Sequence, residues 1–255
     1  MPYQFRPAHV VQVRDDAIVK KAEPERMRLE VEKTRRAYEI GKATGLFRAP
    51  RVLQFDEAAG QAEFERLPGL RSAADVFAAG GSGHRLALRA GEVLAAIHRD
   101  LTLPDDMVRL LPPELRLPAA RRVFLHGDFT VDNVCENPDG GVAIIDWQTS
   151  DWCGGDATYG TPCFDVAWFV ASLFGTRMHR YWGRRSPEHC ARLFLSGYLG
   201  AASTRVDRKE LRDYLNRVSR FVRAFRRDRW RPKSRLGLLP MVLRLWVFVN
   251  SVRLR

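Results

Sequence analysis

Three polar side chains in the middle of the chain have the types and the spacing to bind a metal ion and to accept a proton. They lie in the stretch "VFLHGDFTVDNVCENPDGGVAIIDWQTSD", which begins at Val123. Asp128 follows the apolar run "VFL", Asp146 ends the run "VAIID", and Asn133 lies between them. An exposed carboxylate in a turn can accept a hydroxyl proton. A carboxylate and an amide oxygen are ligands that Mg²⁺ accepts together with water and phosphate oxygens.

This set of residues fits the transfer of a phosphoryl group from a nucleotide to a hydroxyl. The reaction passes through a charge-rich transition state, so the protein must position the nucleophile and hold magnesium on the phosphates. The turn-forming segment "NPDGG" predicts a hairpin between the short strands on either side of it. Such a hairpin would bring Asp146 back beside Asn133.

The composition limits the class of protein. The chain has 255 residues, of which 45% are hydrophobic and 28% charged, enough to bury a core in one large domain or two lobes. It lacks an uncharged apolar run of about 18 residues, which argues against a transmembrane span. Its start lacks the order of segments typical of a signal peptide. The four cysteines have neither CxxC spacing nor a nearby histidine pair, so we expect reduced thiols rather than zinc.

The positive charge is concentrated in the C-terminal third. The chain carries +12 overall, whereas residues 177–255 contain 21 Lys and Arg against 5 Asp and Glu, or +16, which leaves −4 for the rest. A basic third suits an anionic partner such as phospholipid, nucleic acid or a phosphorylated glycan, and a solvated arginine-rich surface is the alternative. Because no RNA- or DNA-binding motif is present, nucleic acid ranks last among these partners.

Residues 1–68 are predicted to form a small, nucleotide-binding lobe of strands and one helix. "HVVQV" and "AIVKK" around "RDD", and "RVLQFD" and "QAEFERL" around "EAAG", each indicate a hairpin. The segment "EPERMRLEVEKTRRAYEIGKATG" between them is predicted to form one helix, with Pro24 near its start, where proline is tolerated, and Gly45 near its end. Residues 69–255 have mostly helical periodicity and are predicted to form a larger lobe with a basic tail at about 205–255.

The pattern "LHGDFTVDNV…AIIDWQ" resembles the catalytic and metal-binding motifs of the aminoglycoside phosphotransferase and choline kinase-like superfamily, which shares the protein-kinase fold. The resemblance rests on His-Gly-Asp, an asparagine five residues after the aspartate, and Ile-Asp-Trp about a dozen residues later. In addition, "TPCFDVAWFV" resembles the family's Pro-x-x-Asp-Leu-Ala segment. The resemblance implies an α+β, bilobal protein-kinase-like fold, with a small β-rich lobe that carries one helix and a larger, mostly α-helical lobe.

The resemblance also implies a role for each motif residue. Asp128 would be the catalytic base, His126 would orient the catalytic loop, and Asn133 and Asp146 would bind magnesium. Asp165 would brace the catalytic loop from a helix start, and a plain helix N-cap is the alternative. ATP, or another nucleoside triphosphate, and Mg²⁺ are the cofactors that the resemblance implies.

The family also needs a lysine on a small-lobe strand that binds nucleotide phosphates and pairs with a helix glutamate. "AIVKK" offers Lys20 and Lys21, and strand alternation does not decide between them. The family's apolar-x-apolar-Lys pattern favours Lys20. For the glutamate, helical spacing puts Glu30 on a face of small residues and Glu32 on a charged face, so we choose Glu30.

The segment "EFERLPG" resembles the family's hinge, where backbone groups around Glu65, Arg66 and Leu67 would bind adenine. Two departures from the family pattern bear on nucleotide binding. No glycine precedes Lys20 to form a glycine-rich phosphate loop, and Thr130 stands where many kinases place a cation. A non-catalytic, kinase-like nucleotide-binding module is therefore the alternative to an enzyme.

The charge of the chain bears on the acceptor. Aminoglycosides and choline are cations, and enzymes for them need acidic pockets, whereas this chain's larger lobe is strongly basic. The resemblance implies a phosphotransferase with an alcohol group as acceptor, on a small molecule, a sugar or a glycolipid. The sign of the charge favours an anionic or membrane-borne hydroxyl, such as that of a glycolipid or a phosphorylated sugar. An aminoglycoside-type antibiotic kinase is the alternative.

Two segments of the basic third carry an apolar stripe with helical spacing. One spans Leu211–Phe225, and the other places Val242, Leu245, Trp246 and Val249 on one face. A basic amphipathic helix with tryptophan is typical of an interfacial membrane anchor, whereas closure of the large lobe's core is the alternative. The anchor interpretation predicts contact with an anionic membrane surface and a cytoplasmic protein that is peripheral at the inner face of the membrane.

Overall fold

The computed structural model describes residues 9–79, 83–117, 121–174, 187–202, 208–229 and 243–251. The helices are α1 (Pro24–Thr44), α2 (Ala73–Ala79), α3 (Gly83–Asp100), α4 (Cys163–Leu173), α5 (Pro187–Ala201), α6 (Arg208–Arg229) and α7 (residues 243–251). The strands are β1 (His9–Val13), β2 (Ala17–Ala22), β3 (Val52–Asp56), β4 (Gln61–Glu65), β5 (Arg71–Ser72), β6 (Val123–Phe124), β7 (Val134–Glu136), β8 (Val142–Ile144) and β9 (Tyr159–Gly160). A small antiparallel sheet with one long helix thus precedes a mostly helical part, as the motifs predicted.

The two predicted N-terminal hairpins join into one sheet of four antiparallel strands, in the order β1-β2-β4-β3. The helix between them, α1, has Pro24 in its first turn and ends at Gly45, whose φ of 65° is the left-handed conformation that glycine adopts at helix ends. Met27 and Val31 of α1 pack against Phe64 of β4. The sequence therefore predicted both hairpins and both ends of this helix correctly.

The predicted hairpin around "NPDGG" is also present. β7 and β8 pair with Val134 opposite Ile144, and β5 adds a third strand at the edge of β7. The apolar run "VFL" behaves differently, because its strand β6 pairs with β9 rather than with this hairpin. Asp128 and Asp146 therefore follow strands of two different small sheets.

The larger lobe is built on close backbone packing between α3 and α5. A Cβ atom on Gly197 would lie 2.0 Å from the carbonyl oxygen of Leu88, and one on Gly91 would lie 2.1 Å from that of Phe194. Carbon and oxygen atoms cannot approach so closely, and neither partner is a flexible side chain that could move away. Glycine at these two positions is therefore what allows the two helices to touch.

The described parts of α6 and α7 close the core of the large lobe. Their buried side chains are Leu211, Tyr214, Leu215, Val218, Leu245, Phe248 and Val249. The ring of Phe248 lies 5.5 Å from that of Phe174, between centroids. For these residues the core interpretation is confirmed. Of the other predicted stripe residues, Val242 and the side chains of Phe221, Val222 and Phe225 lie outside what the structure describes.

The predicted apolar face of the last helix is wrong at Trp246. The helix turns Phe248 towards the core, and Leu243, Trp246 and Val247 are 57%, 56% and 49% exposed on another side. Among the described helices, none combines the length and the apolar character that crossing a bilayer requires.

We expect Gly197→Ala to lower the free energy of unfolding by about 1–3 kcal/mol or more, because the added methyl group forces α3 and α5 apart. Gly200→Ala on the same helix is the matched control, since nothing lies within 4 Å of its Cβ position. There the better helix propensity of alanine should raise stability by up to about 1 kcal/mol. Urea denaturation followed by circular dichroism measures both values, and equal effects of the two changes would contradict this packing.

Candidate active site

The turn that carries Asp128 is held by a buried carboxylate. The backbone N–H groups of His126 and Gly127 donate to Asp165, at 2.8 Å and 2.9 Å. Asp165 is fully buried in the first turn of α4. The N-cap of α4 is Pro162, so the interpretation of Asp165 as a plain N-cap is wrong.

His98 of α3 extends this buried hydrogen-bond chain. Its Nε2 lies 3.1 Å from Asp165 Oδ2, and its Nδ1 lies 2.9 Å from the hydroxyl of Tyr198 on α5. Burial acts to raise the pKa of Asp165, but its hydrogen bonds with His98 and with the amide of Gly127 contribute to lowering it below its usual value. Asp165 is therefore ionised and can accept all of these hydrogen bonds at once.

The carboxylate of Asp128 has two hydrogen-bond donors. Trp168 Nε1 donates to Oδ1 at 2.8 Å, and Asn133 Nδ2 donates to Oδ2 at 3.1 Å. Burial raises the pKa of Asp128 to about 7; the charge of Asp146 adds to this effect, and the two hydrogen bonds oppose it. A carboxylate whose pKa lies near neutrality is suited to accept a proton in one step and to release it in the next.

His126 shapes the turn from inside. It is fully buried, and its Nδ1 accepts a hydrogen bond from the backbone N–H of Asp128 at 3.2 Å. Its ring packs against that of Trp147, with 4.6 Å between the centroids. Burial, with the charge of Lys33 as the next cause, lowers the pKa of His126 to about 4. A neutral imidazole with these contacts can orient the turn without carrying charge.

The β7–β8 hairpin brings Asp146 back to Asn133. The residue before Asp146, Ile145, donates its N–H to the carbonyl oxygen of Asn133 at 3.0 Å. Asn133 Nδ2 donates to two oxygen atoms of Asp128, the backbone oxygen at 2.9 Å and Oδ2 at 3.1 Å. Because both partners are acceptors, the amide must face them with its nitrogen, and its oxygen is left for a cation.

Asp146 has an unusual backbone conformation. Its φ of 57° is positive, which no other non-glycine residue shows among those the structure describes. Left-handed backbone is costly for most residues and concentrates at functional sites. This conformation indicates that the position of the Asp146 carboxylate is constrained.

The small lobe contributes a buried ion pair to the same place. Lys20 Nζ lies 2.6 Å from Glu30 of α1 and 2.6 Å from Oδ1 of Asp146. Burial acts to lower the pKa of Lys20, but the two carboxylates together raise it above its usual value. Lys21 is exposed, and Glu32 pairs instead with a neighbour on the helix surface. The structure thus brings together Lys20 and Glu30, the pair that the sequence favoured.

The predicted hinge is partly engaged within the protein. The amide of Glu65 donates to the carbonyl of Arg51 at 2.8 Å, and that of Arg66 donates to the carbonyl of Asp16 at 2.9 Å. Neither amide is thus available to an adenine ring without breaking a hydrogen bond. Within the described part of the chain, the amide of Leu67 makes no hydrogen bond.

Sequence reasoning missed two side chains that contact residues 126–128, which we call the catalytic turn because the resemblance places the base there. Lys33 of α1 is 1% exposed and donates to a backbone oxygen of the turn, and Trp168 of α4 donates to its carboxylate. Lys33 follows Glu30 by three residues, and Trp168 follows Asp165 by three. Since residues three apart share a helix face, helical spacing is the signal that could have found both.

One protein-family model matches part of the chain. Residues 99–214 match the model of the phosphotransferase enzyme family. That segment includes Asp128, Asn133, Asp146 and Asp165. No curated protein matches the sequence significantly.

Solved structures match almost the whole chain at low sequence identity. The choline kinase LicA from Streptococcus pneumoniae has 14% identity and a TM-score of 0.56, over 98% of this chain and 92% of that one. The GDP and kanamycin complex of APH(2")-IIia has 14% identity and a TM-score of 0.57, over 98% and 92%. An aminoglycoside-3'-phosphotransferase of type VIII has 16% identity and a TM-score of 0.54, over 85% and 94%.

The shared fold and the family match concern different aspects of the chain. The structural likeness extends over both lobes, whereas the family match covers the segment with the catalytic turn and the β7–β8 hairpin. Together they confirm the protein-kinase-like fold and the resemblance that the His-Gly-Asp and Ile-Asp-Trp motifs predicted, which is to the aminoglycoside phosphotransferase and choline kinase-like superfamily.

Proposed function

We propose that the protein is an ATP- and Mg²⁺-dependent phosphotransferase that moves the γ-phosphoryl group to a hydroxyl, with Asp128 as the base. One observation carries the proposal: the Lys20–Glu30 pair of the small lobe meets Asp146 of the large lobe, next to Asn133 and the catalytic turn. Phosphoryl transfer needs a phosphate-binding cation, metal ligands and a base at one place.

The oxygen atoms at this place fit Mg²⁺. The Asn133 amide oxygen and the Asp146 carboxylate are hard ligands, which Mg²⁺ prefers. Among the residues that the structure describes, no group of three or more His, Cys, Asp or Glu side chains is placed to hold a metal. Phosphate and water oxygens would therefore complete the ligand set, as is usual for Mg²⁺. When bound, the ion would offset negative charge on the phosphates.

Each functional group of the site has a defined role in this proposal. Lys20 has three N–H donors, of which two are engaged with Glu30 and Asp146, so one remains for a phosphate oxygen. The amide of Leu67 would bind the adenine ring. Asp128 would accept the proton of the attacking hydroxyl, while Trp168 and Asn133 fix its orientation.

The acceptor is proposed to be the hydroxyl of a small molecule, a sugar or a glycolipid. The net charge of +16 over residues 177–255 favours an anionic acceptor or an anionic surface near it. The exposed stripe of Leu243, Trp246 and Val247 on α7 adds apolar contact of the kind that interfacial helices use. We propose that this stripe contacts an anionic membrane and that the protein is cytoplasmic and peripheral to it.

Asp128→Asn should lower Mg-ATP-dependent turnover by about 100- to 10,000-fold, because the amide cannot accept the hydroxyl proton. Mg-ATP affinity should change little. Initial rates of ADP release with a panel of hydroxyl acceptors measure the first effect, and calorimetry the second. Asp139→Asn, an exposed residue in the turn between β7 and β8, is the control. Turnover by Asp128→Asn within a few-fold of the original would remove Asp128 as the base.

Asp146→Ala should abolish the dependence of nucleotide binding on Mg²⁺, since it deletes the anionic metal ligand. Asn133→Ala should raise the Mg²⁺ requirement more mildly, because it removes only a neutral ligand. Calorimetric titration of each variant with ATP, with Mg²⁺ or with EDTA, separates the metal effect from direct contacts. Unchanged Mg²⁺ dependence in Asp146→Ala would exclude the metal role.

Trp246→Glu should reduce co-sedimentation with vesicles that contain anionic lipid, because it places a charge in the exposed stripe. Removing the tail is a poorer test than a point change, since α7 also contributes Phe248 to the core. Thr102→Glu adds the same charge at an exposed residue elsewhere and is the control. Equal sedimentation of both variants, or no preference for anionic over neutral lipid, would rule out the membrane contact.

A further inference from the structure

Lys33 is a lysine in the interior of the protein. It lies on α1 and is 1% exposed, although lysine is among the residues least often fully buried. Its Nζ donates to the backbone oxygen of His126 and, at 3.3 Å, to Thr149 Oγ1. Burying an ammonium group is costly unless hydrogen bonds and charges compensate for the lost water. The position of Lys33 therefore has to be explained by what it contacts.

The charges around Lys33 keep it an ammonium near neutrality. Burial lowers the pKa of Lys33 to about 8, while the negative charges of Asp165, Glu30, Asp128 and Asp146 raise it. These four carboxylates belong to the site described above, and Lys33 lies among them. It faces them from α1, without being one of the groups that the proposed reaction uses.

Both hydrogen-bond partners of Lys33, His126 and Thr149, belong to the larger lobe. His126 belongs to the turn itself. Thr149 follows the β7–β8 hairpin in the chain and donates its hydroxyl to the carbonyl of Ala157 at 2.5 Å. The turn also packs tightly on Thr149, since a Cβ atom on Gly127 would lie 2.6 Å from its Oγ1. Lys33 thus binds a group of atoms that is already fixed.

The same helix carries Glu30, three residues before Lys33 and also buried. Residues three apart lie on one face of a helix and keep a fixed separation. Fixing Lys33 against the carbonyl of His126 therefore also fixes where Glu30 holds Lys20. The other ion pairs between α1 and the large lobe, such as Arg28 with Asp106 at 2.6 Å, are partly or fully exposed and contribute less.

We propose that Lys33 is a positioning residue: its buried ammonium holds α1 at a set distance from the catalytic turn, and so aligns the Lys20–Glu30 pair with Asp128. This inference rests on the proposed function for its effect on catalysis, but the contact itself acts in the protein without substrate. In this proposal α1 connects Lys20, which binds phosphate, to the turn that carries the base Asp128.

Lys33→Met in the full chain tests the proposal, because methionine has a similar length and no hydrogen bond to donate. We expect kcat to fall by up to about 100-fold, since a misplacement of about 1 Å can have that effect. The KM for Mg-ATP should stay within about threefold. Glu30→Gln should lower kcat less in the Lys33→Met background than in the original chain, because the alignment is already lost.

Amide hydrogen exchange gives a readout that needs no substrate. In Lys33→Met, exchange should quicken along α1 while the amides of α5 keep their protection, because the proposal gives Lys33 the role of holding α1 against the turn. Arg36→Met, at an exposed residue of the same helix, should change neither exchange nor kcat. If Lys33→Met does not fold, Lys33→Gln takes its place in the same measurements, because it removes the ammonium group and its charge but leaves a polar side chain in the interior.

Three results would overturn the positioning role: faster exchange throughout the protein, additive effects of Lys33→Met and Glu30→Gln on kcat, or an unchanged kcat. Absence of Mg-ATP turnover in the unaltered protein would instead contradict the proposed function. In that case the local change in exchange along α1 still decides whether Lys33 holds this helix against the catalytic turn.

Discussion

The buried carboxylate of Asp165 is the interaction on which the rest of the site depends. It accepts the amides of His126 and Gly127 and a hydrogen bond with His98, which in turn contacts Tyr198. Through these contacts it joins α3, α4, α5 and the catalytic turn. A buried carboxylate is stable only with such partners, because each unmet hydrogen bond would leave desolvated charge behind. Because Asp165 belongs to α4, the packing of α4 in the large lobe sets the position of the catalytic turn.

A second constraint is the balance of charge between the lobes. Four carboxylates lie close to two ammonium groups: Glu30, Asp128, Asp146 and Asp165, with Lys20 and Lys33. The excess of negative charge contributes to the raised pKa of Asp128, and it favours binding of a divalent cation. The same charges attract Lys20 and Lys33 from the small-lobe side. The same carboxylates therefore attract the small lobe to the large lobe and raise the pKa of Asp128.

The last described helix shows how one segment can serve the core and the surface together. α7 buries Leu245, Phe248 and Val249, yet leaves Trp246 and two other apolar side chains in water. The sequence pattern could not separate these faces, because apolar residues occur around most of this helix. A membrane role for the exposed side and a packing role for the buried side are compatible, since they use different residues.

Local pattern was sufficient for the parts of the protein that depend on neighbours in the chain. The ends of α1 follow from Pro24 and Gly45, and the hairpin before Asp146 follows from "NPDGG", because turn and cap preferences act within a few residues. The motif around Asp128 and Asn133 was recognisable for a related reason, since its residues are close in sequence.

The tertiary structure decided what depends on distant contacts. It selected Lys20 over Lys21, which strand alternation alone left open, because only Lys20 faces Glu30 and Asp146. It also placed Lys33 against His126, 93 residues away, and turned Phe248 rather than Trp246 inward. A polar or apolar side chain has no preferred partner until the fold supplies one, and burial then makes the choice strict, since a buried ammonium without acceptors would be too costly to keep.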